Sequence, residues 1–397
     1  MKTNYNRTVQ ACFIGYVVQA IVNNFVPLLF LTFQGSYGIS LQKITLLVTF
    51  NFGIQLLVDL ASIGFVDRIG YRASMILAHA MAAAGLILLT VLPECLGDPF
   101  VGLLIAVMIY AIGGGLLEVL VSPVVEACPT DNKEKAMSLL HSFYCWGAVG
   151  TILVSTVFFL LFGIGSWKWL AVIFALIPAI NIINFATCPI ESLVEEGQGM
   201  GIRKLFSNPM FLIAIVMMVC SGASELAMAQ WASAYAESAL GFSKAVGDIA
   251  GPCMFAVTMG ISRVLFGKAG DKMKLNRFMI GSGILCFVCY LLASFSENPI
   301  IGLAGCIVCG FSVGIMWPGT ISISSKAFPT GGTAMFALLA MAGDLGGSIG
   351  PAIVGRVADM FGGSIHVGMR IGLLFPITLC FMLFLFNIMN HNANKQK

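Results

Sequence analysis

The chain has 397 residues, 58% of them hydrophobic and only 10% charged, with a formal net charge of +3. Soluble domains carry roughly 25% charged residues, so a chain with a mean hydropathy of +0.95 belongs in lipid. So small a net charge does not suggest a nucleic-acid partner, and none is expected. Forty-four glycines and 14 prolines spread through apolar segments fit transmembrane helices, which tolerate both better than soluble helices do.

A helix needs ~18–27 apolar residues to cross a bilayer. Twelve such runs lie near residues 9–33, 44–66, 73–93, 99–125, 136–162, 167–187, 210–235, 246–267, 277–295, 299–325, 333–357 and 367–390. The first follows Met1–Arg7 directly and is too long for the core of a signal peptide, so it is read as a span. The longest connector is Cys188–Pro209, with Glu191, Glu195, Glu196, Arg203 and Lys204. It divides the chain into an all-α bundle of six spans over 1–187, a linker over 188–209 and a second six-span bundle over 210–397.

Span one carries Tyr16, Gln19 and Asn23 at i, i+3 and i+7, one polar stripe on an apolar helix, followed by Asn24. Span three holds a single histidine, His79, read as a packing residue. Span four contains Gly113-Gly114-Gly115-Leu-Leu-Glu118 and then Ser122-Pro123. An acid at the bilayer centre costs about 2.5–3.5 kcal/mol, which a merely spanning helix has no reason to carry. At helical spacing Glu118 shares a face with Gly114, Gly115 and Ser122, so that face is small and polar and is read as the lining of a transport path.

Span five repeats the stripe with Ser138, His141 and Tyr144 or Cys145. Span seven holds Glu225 and then Trp231, span eight holds Arg263, and span eleven holds Asp344. Desolvation raises a carboxyl pKa, so Glu118, Glu225 and Asp344 are candidates to carry a proton, and Arg263 is a candidate ion-pair partner. In span ten Trp317, Thr320 and Ser324 form a third stripe. Amides and hydroxyls both donate and accept, which suits a hydroxylated ligand, and Trp231 or Trp317 could stack on a sugar face. Cys286-x2-Cys289 and Cys306-x2-Cys309 approach zinc-ribbon spacing. Both pairs lie within apolar runs without His or acid beside them, so they are read as packing residues, and neither metal nor cofactor is expected.

The two halves echo each other. Gly64-Phe-Val-Asp67-Arg68-Ile-Gly70-Tyr-Arg72 joins spans two and three, and Gly267-Lys-Ala-Gly270-Asp271-Lys272 sits at the corresponding junction of the second half. Proline is expected to interrupt span four at Pro123 and span ten at Pro318. Repeated halves with interrupted helices mark secondary transporters whose site lies near the midplane. Basic residues favour one side of the spans by about three to one, which puts both termini in the cytoplasm. That side holds Lys2, Arg7, Arg68, Arg72, Arg203, Lys204 and Lys397 among others, and the opposite side Lys43, Lys168, Lys244, Arg356 and Arg370.

The Gly64–Arg72 stretch resembles the signature G-x-x-x-D-R-x-G-R-[RK] of the major facilitator superfamily, with one position fewer before the Asp-Arg pair. The resemblance implies a fold of twelve transmembrane helices in two pseudo-symmetric bundles, a monomer, and a gating role for Asp67, Arg68 and Arg72, echoed by Asp271 and Lys272. Within that superfamily the chain looks most like the fucose–proton symporter group. The patches are Asn23-Asn24, Gly113–Pro123 with His141-Ser142-Phe143, Gly222-Ala223 ahead of Trp231, Met316-Trp317-Pro318-Gly319-Thr320, and Gly343–Gly347. That group carries an aspartate shortly after the paired asparagines. This chain runs Asn23-Asn24-Phe25-Val26-Pro27 without an acid, so coupling through Glu118 would draw on Glu225 or Asp344 instead.

The expectation is therefore a proton-coupled secondary transporter in the inner (cytoplasmic) membrane. Its substrate is a small polar solute, a sugar or related hydroxylated metabolite, and its partners are that solute, protons and the lipid bilayer. Two alternatives are an exporter of amphipathic drugs, suggested by 21 Met and 30 Phe, and a transporter-like membrane sensor. No Walker loop, G-x-S-x-G or H-E-x-x-H occurs, so an enzyme is not expected.

Overall fold

The structure, a computed structural model, describes residues 5–191, 199–240, 249–362 and 364–395. Lys2, Lys244 and Lys397 of the orientation argument, and Glu195 and Glu196 of the linker, lie outside the described residues. Among the described residues twelve helices are long and apolar enough to cross a membrane. They are α1 (Asn6–Leu29), α2 (Leu46–Val66), α3 (Tyr71–Cys95), α4 (Pro99–Ala127), α5 (Lys133–Phe162), α6 (Ile164–Thr187), α7 (Pro209–Ala232), α8 (Ile249–Ala269), α9 (Leu275–Phe295), α10 (Ile300–Ala327), α11 (Gly332–Met360) and α12 (Ile365–Asn390). Helices satisfy every backbone group internally, which is what hydrocarbon demands. Their outer faces carry Leu160, Leu161, Trp169, Ile180 and Ile183, all more than 60% exposed, a surface suited to lipid and not to water.

Local chemistry sets the helix ends. Asp98 caps the start of α4 by accepting from the Phe100 N–H at 2.9 Å, with Pro99 in the first turn. Asn298 does the same for the Ile300 N–H at 3.0 Å, with Pro299 in the first turn. An acceptor followed by proline thus opens the fourth span of each half, where proline's missing N–H costs nothing.

The interruptions differ from expectation. α4 runs unbroken through Pro123. In α10 one helix ends at Val313 and the next starts at Met316. Proline clashes with the carbonyl four residues back and leaves it without a donor. For Pro318 that carbonyl belongs to Gly314, and it accepts instead from Arg263 Nε at 2.9 Å. α1 also changes, its α-helix ending at Asn24 and a 3-10 turn following over Val26–Leu29, around Pro27.

The Gly64–Arg72 stretch is hardly a loop. The α2 helix continues to Ile69 and α3 begins at Tyr71, leaving Gly70 alone between them. Gly70 has φ +82 and ψ 156, a conformation essentially restricted to glycine.

The chain forms two compact units. The first comprises 1–130, 143–199 and 332–337, and the second 131–142, 200–331 and 338–397. In the first unit α1 and α4 are the most buried spans, each with 61% of its apolar stretch buried against 28% for α2, so their polar side chains must find partners inside protein. In the second unit α7, α10 and α11 take that place.

Candidate substrate and coupling site

In the first unit the α1 stripe finds its partners in register. Tyr16 Oη and Ser122 Oγ on α4 lie 2.9 Å apart in a hydrogen bond. One turn on, Gln19 Nε2 donates to Glu118 Oε2 at 2.8 Å. A further turn on, Asn23 Oδ1 accepts from Asn51 Nδ2 at 3.0 Å and Gln55 Nε2 at 2.8 Å, while Asn23 Nδ2 donates to Tyr144 Oη at 3.3 Å. The spacing of the stripe therefore becomes a ladder of hydrogen bonds joining α1 to α2, α4 and α5.

The glycines of α4 make this approach possible. A methyl on Gly115 would stand 3.0 Å from the Gln55 Cα, and one on Gly114 would stand 3.3 Å from the Gln55 side-chain carbonyl carbon. Small residues let transmembrane backbones close to this distance. Gly147 of α5 does likewise, its added methyl meeting the Val17 Cα at 3.0 Å. The stacked rings of Phe13 and Phe143, 4.2 Å apart, hold the same pair of helices below the polar rungs.

The cluster is short of donors. Gln19 Oε1, Asn51 Oδ1 and Gln55 Oε1 are buried and accept no hydrogen bond among the described residues. Buried polar atoms are nearly always paired in native proteins. Three buried amide oxygens of this cluster thus lack a donor among the described residues.

The second unit gathers a different cluster. Arg263 is 3% exposed, and its Nε donates to the Gly314 carbonyl, its Nη1 to the His141 carbonyl at 3.0 Å, and its Nη2 stands 3.5 Å from Glu225 Oε2. Ser138 Oγ donates to the Arg263 carbonyl at 2.8 Å. A guanidinium taken from water needs this many acceptors to remain charged. Glu225 and the His141 backbone are thus brought together by Arg263.

The other expected residues are more dispersed. Asn24 donates to the Ala20 carbonyl of its own helix at 2.8 Å, and Thr320 to that of Met316 at 2.7 Å. Trp231 gives its indole N–H to the Pro351 carbonyl at 3.2 Å and lies against Gly355. Trp317 covers Gly343, where a methyl would fall 2.2 Å from its ring, and Gly343 directly precedes half-buried Asp344 in the chain. His79 pairs with the Met75 carbonyl at 2.7 Å and with Asn181 at 2.8 Å, a satisfied packing histidine.

At the helix ends, Arg72 Nη1 donates to the carbonyls of Phe185 and Ala186 at 2.7 and 3.0 Å, where α6 exposes its unpaired acceptors. Arg68 is exposed, and the side chain of Asp67 lies outside the described residues. Asp271 pairs with Lys135 and accepts from Asn132 Nδ2 at 3.0 Å, while Lys272 is exposed. The bonds from Lys135 and then Asn132 hold the Asp271 carboxyl below its usual range. Asn51 and Gln55 are additions to the residues expected from sequence. Their spacing of i and i+4 in span two was a signal of the same kind as the stripe in span one.

The profile described as Major Facilitator Superfamily matches residues 12–351. No curated protein matches the chain by sequence. Among solved structures, FucP, a fucose:proton symporter of E. coli, is similar in its outward conformation with a TM-score of 0.83 at 16% identity, covering 96% of this chain and 99% of its own. The proton:xylose symporter XylE bound to 6-bromo-6-deoxy-D-glucose gives 0.79 at 12% identity, over 95% and 94% of the two chains. The human organic anion transporter MFSD10 (TETRAN) gives 0.74 at 14% identity, over 96% and 100%. At such identities the likeness is one of fold.

Proposed function

The chain belongs to the major facilitator superfamily, and from that premise we propose that it is a proton-coupled secondary transporter of a sugar or related hydroxylated metabolite. The observation that carries the reading is the rung at Gln19, Asn23, Asn51, Gln55, Glu118 and Tyr144, with its three open amide oxygens. Hydroxyl groups of a solute satisfy those acceptors, and Glu118 takes up or releases a proton as the path hydrates. Support of a weaker kind comes from FucP and XylE, both proton symporters of sugars that share the fold.

Glu225, held by Arg263, is the second coupling group, and Asp344 is a further acid on the path. His141, Trp231, Trp317, Thr320 and Asn24 complete the binding set. Asp67, Arg68, Arg72, Asp271 and Lys272 gate the path by making and breaking contacts at helix ends during alternating access. The protein works as a monomer of two six-helix bundles, 1–187 and 210–397, in the inner membrane with both termini in the cytoplasm.

A thermal-unfolding screen of the purified chain against hexoses, pentoses, polyols, nucleosides and organic acids tests the substrate class. A ligand of the folded state raises apparent stability by about 2.7 kcal/mol when present at a hundred times its Kd. Stabilisation by hydroxylated neutral solutes supports the reading. Stabilisation by amphipathic cations alone would favour drug export.

A further inference from the structure

The second unit contains a cavity of about 490 Å³ where α5 and α9 begin and α10 and α12 end, and none of its lining residues belongs to the Arg263 cluster. Its lining is two-sided. Leu275, Ile323 and Phe386 are nearly or fully buried and supply apolar surface. Lys274, Arg277 and Lys326 supply positive charge, and Glu134 is the one acid among the lining residues.

The charges do not cancel. Glu134 is engaged by Lys326. Lys274 and Arg277 have no carboxylate partner among the described residues, so the lining carries two unbalanced positive charges, three cations less one anion. Lys274 and Arg277 are three residues apart at the start of α9 and therefore rise from one side of it. The positive end of α9, which has no side-chain cap, adds to the same potential. Asn276 and Asn387 close one wall by a 2.7 Å hydrogen bond between their side chains, so the wall joins α9 to α12 directly.

Arginine and lysine together over an apolar floor suit a phosphate group attached to an organic body. The volume exceeds what a bare ion needs and falls in the range of small-molecule sites. We propose that this cavity binds a phosphate-bearing anion, with Lys274, Arg277 and Lys326 on the phosphate and Leu275, Ile323 and Phe386 against the organic part. The position at the ends of membrane-spanning helices admits either of two sources of that chemistry, a phospholipid headgroup or a soluble phosphate compound. Occupancy would tie α9, α10 and α12 together at these ends. The proposal does not rest on which solute the chain transports.

The test is thermal unfolding of the full chain in mild detergent with dioleoylphosphatidylglycerol or inorganic phosphate. The zwitterionic dioleoylphosphatidylcholine and sodium chloride of matched ionic strength are the controls. Phosphatidylglycerol is expected to raise the melting temperature above both controls, and Lys274→Ala with Arg277→Ala is expected to weaken apparent affinity about tenfold for each cation removed. The charge-retaining pair Lys274→Arg and Arg277→Lys should keep the shift, separating charge from folding. If phosphate acts as well as the lipid, the soluble source is supported; if the lipid acts alone, the membrane is the source. The proposal is overturned if neither raises stability beyond the controls, or if the double alanine variant keeps the full shift.

Discussion

At the scale of single residues, Asn23 joins three other side chains of the rung. Its replacement by alanine leaves Asn51 Nδ2, Gln55 Nε2 and Tyr144 Oη each short of a hydrogen bond. An unsatisfied buried group costs about 1–3 kcal/mol, so Asn23→Ala should unfold at markedly lower temperature in detergent. Asn23→Asp, assayed at acidic pH where its carboxyl is neutral, keeps the acceptor that Asn51 and Gln55 use and a donor for Tyr144, and should recover most of the loss. Equal damage from both would mean that packing, not the rung, sets the cost. The stripe of Tyr16, Gln19 and Asn23 was legible because its spacing is helical and its surroundings are apolar. The partners on α2 were equally open to that reading, yet they emerge only when α2 is laid against Gly114 and Gly115. The acceptors around Arg263 lie beyond sequence altogether, because the Gly314 carbonyl becomes available only where α10 bends.

At the scale of elements, the twelve spans could be read from the chain because hydrocarbon leaves a helix no alternative backbone geometry. Their ends were less legible. The apolar run of span two covers 44–66, whereas its helix extends over Leu41–Ile69, since a helix persists into water for as long as its caps allow. The two prolines show the same limit, for Pro318 accompanies a break and Pro123 does not. Gly70 and Gly64, both signature positions, should also part company. A methyl on Gly64 meets nothing within 4 Å, while Gly70 holds a backbone conformation that other residues reach only at about 1–3 kcal/mol. Gly70→Ala should therefore lower stability by that amount, and Gly64→Ala should be nearly neutral in the same thermal assay. The reverse order would show that the signature glycine acts through contacts made in another conformation.

At the scale of the whole molecule, pH should separate the proposed gate from the proposed coupling site. Asp271 is held ionised by Lys135 and Asn132, its folded pKa lying below its unfolded value. A depressed carboxyl contributes fully above the ordinary value of about 3.9 and loses that contribution as pH falls through the lower folded value. Between pH 8 and 5 this contact does not titrate. Uptake measured across that window should follow the same pH profile in Asp271→Asn as in the parent, even where its rate differs; a displaced midpoint would place the titrating group at the gate.

The central claim is that Glu118 couples solute movement to protons. Its direct test is uptake into proteoliposomes with an alkaline interior, using the solute that stabilises the purified chain, for the parent and for Glu118→Gln. The glutamine keeps the size of the side chain and a hydrogen bond with Gln19 but cannot carry the proton. The parent should accumulate solute above the external concentration, and Glu118→Gln should do no more than equilibrate it while still exchanging solute across the membrane. Accumulation by Glu118→Gln equal to the parent's, or a parent indifferent to the gradient, would contradict the account.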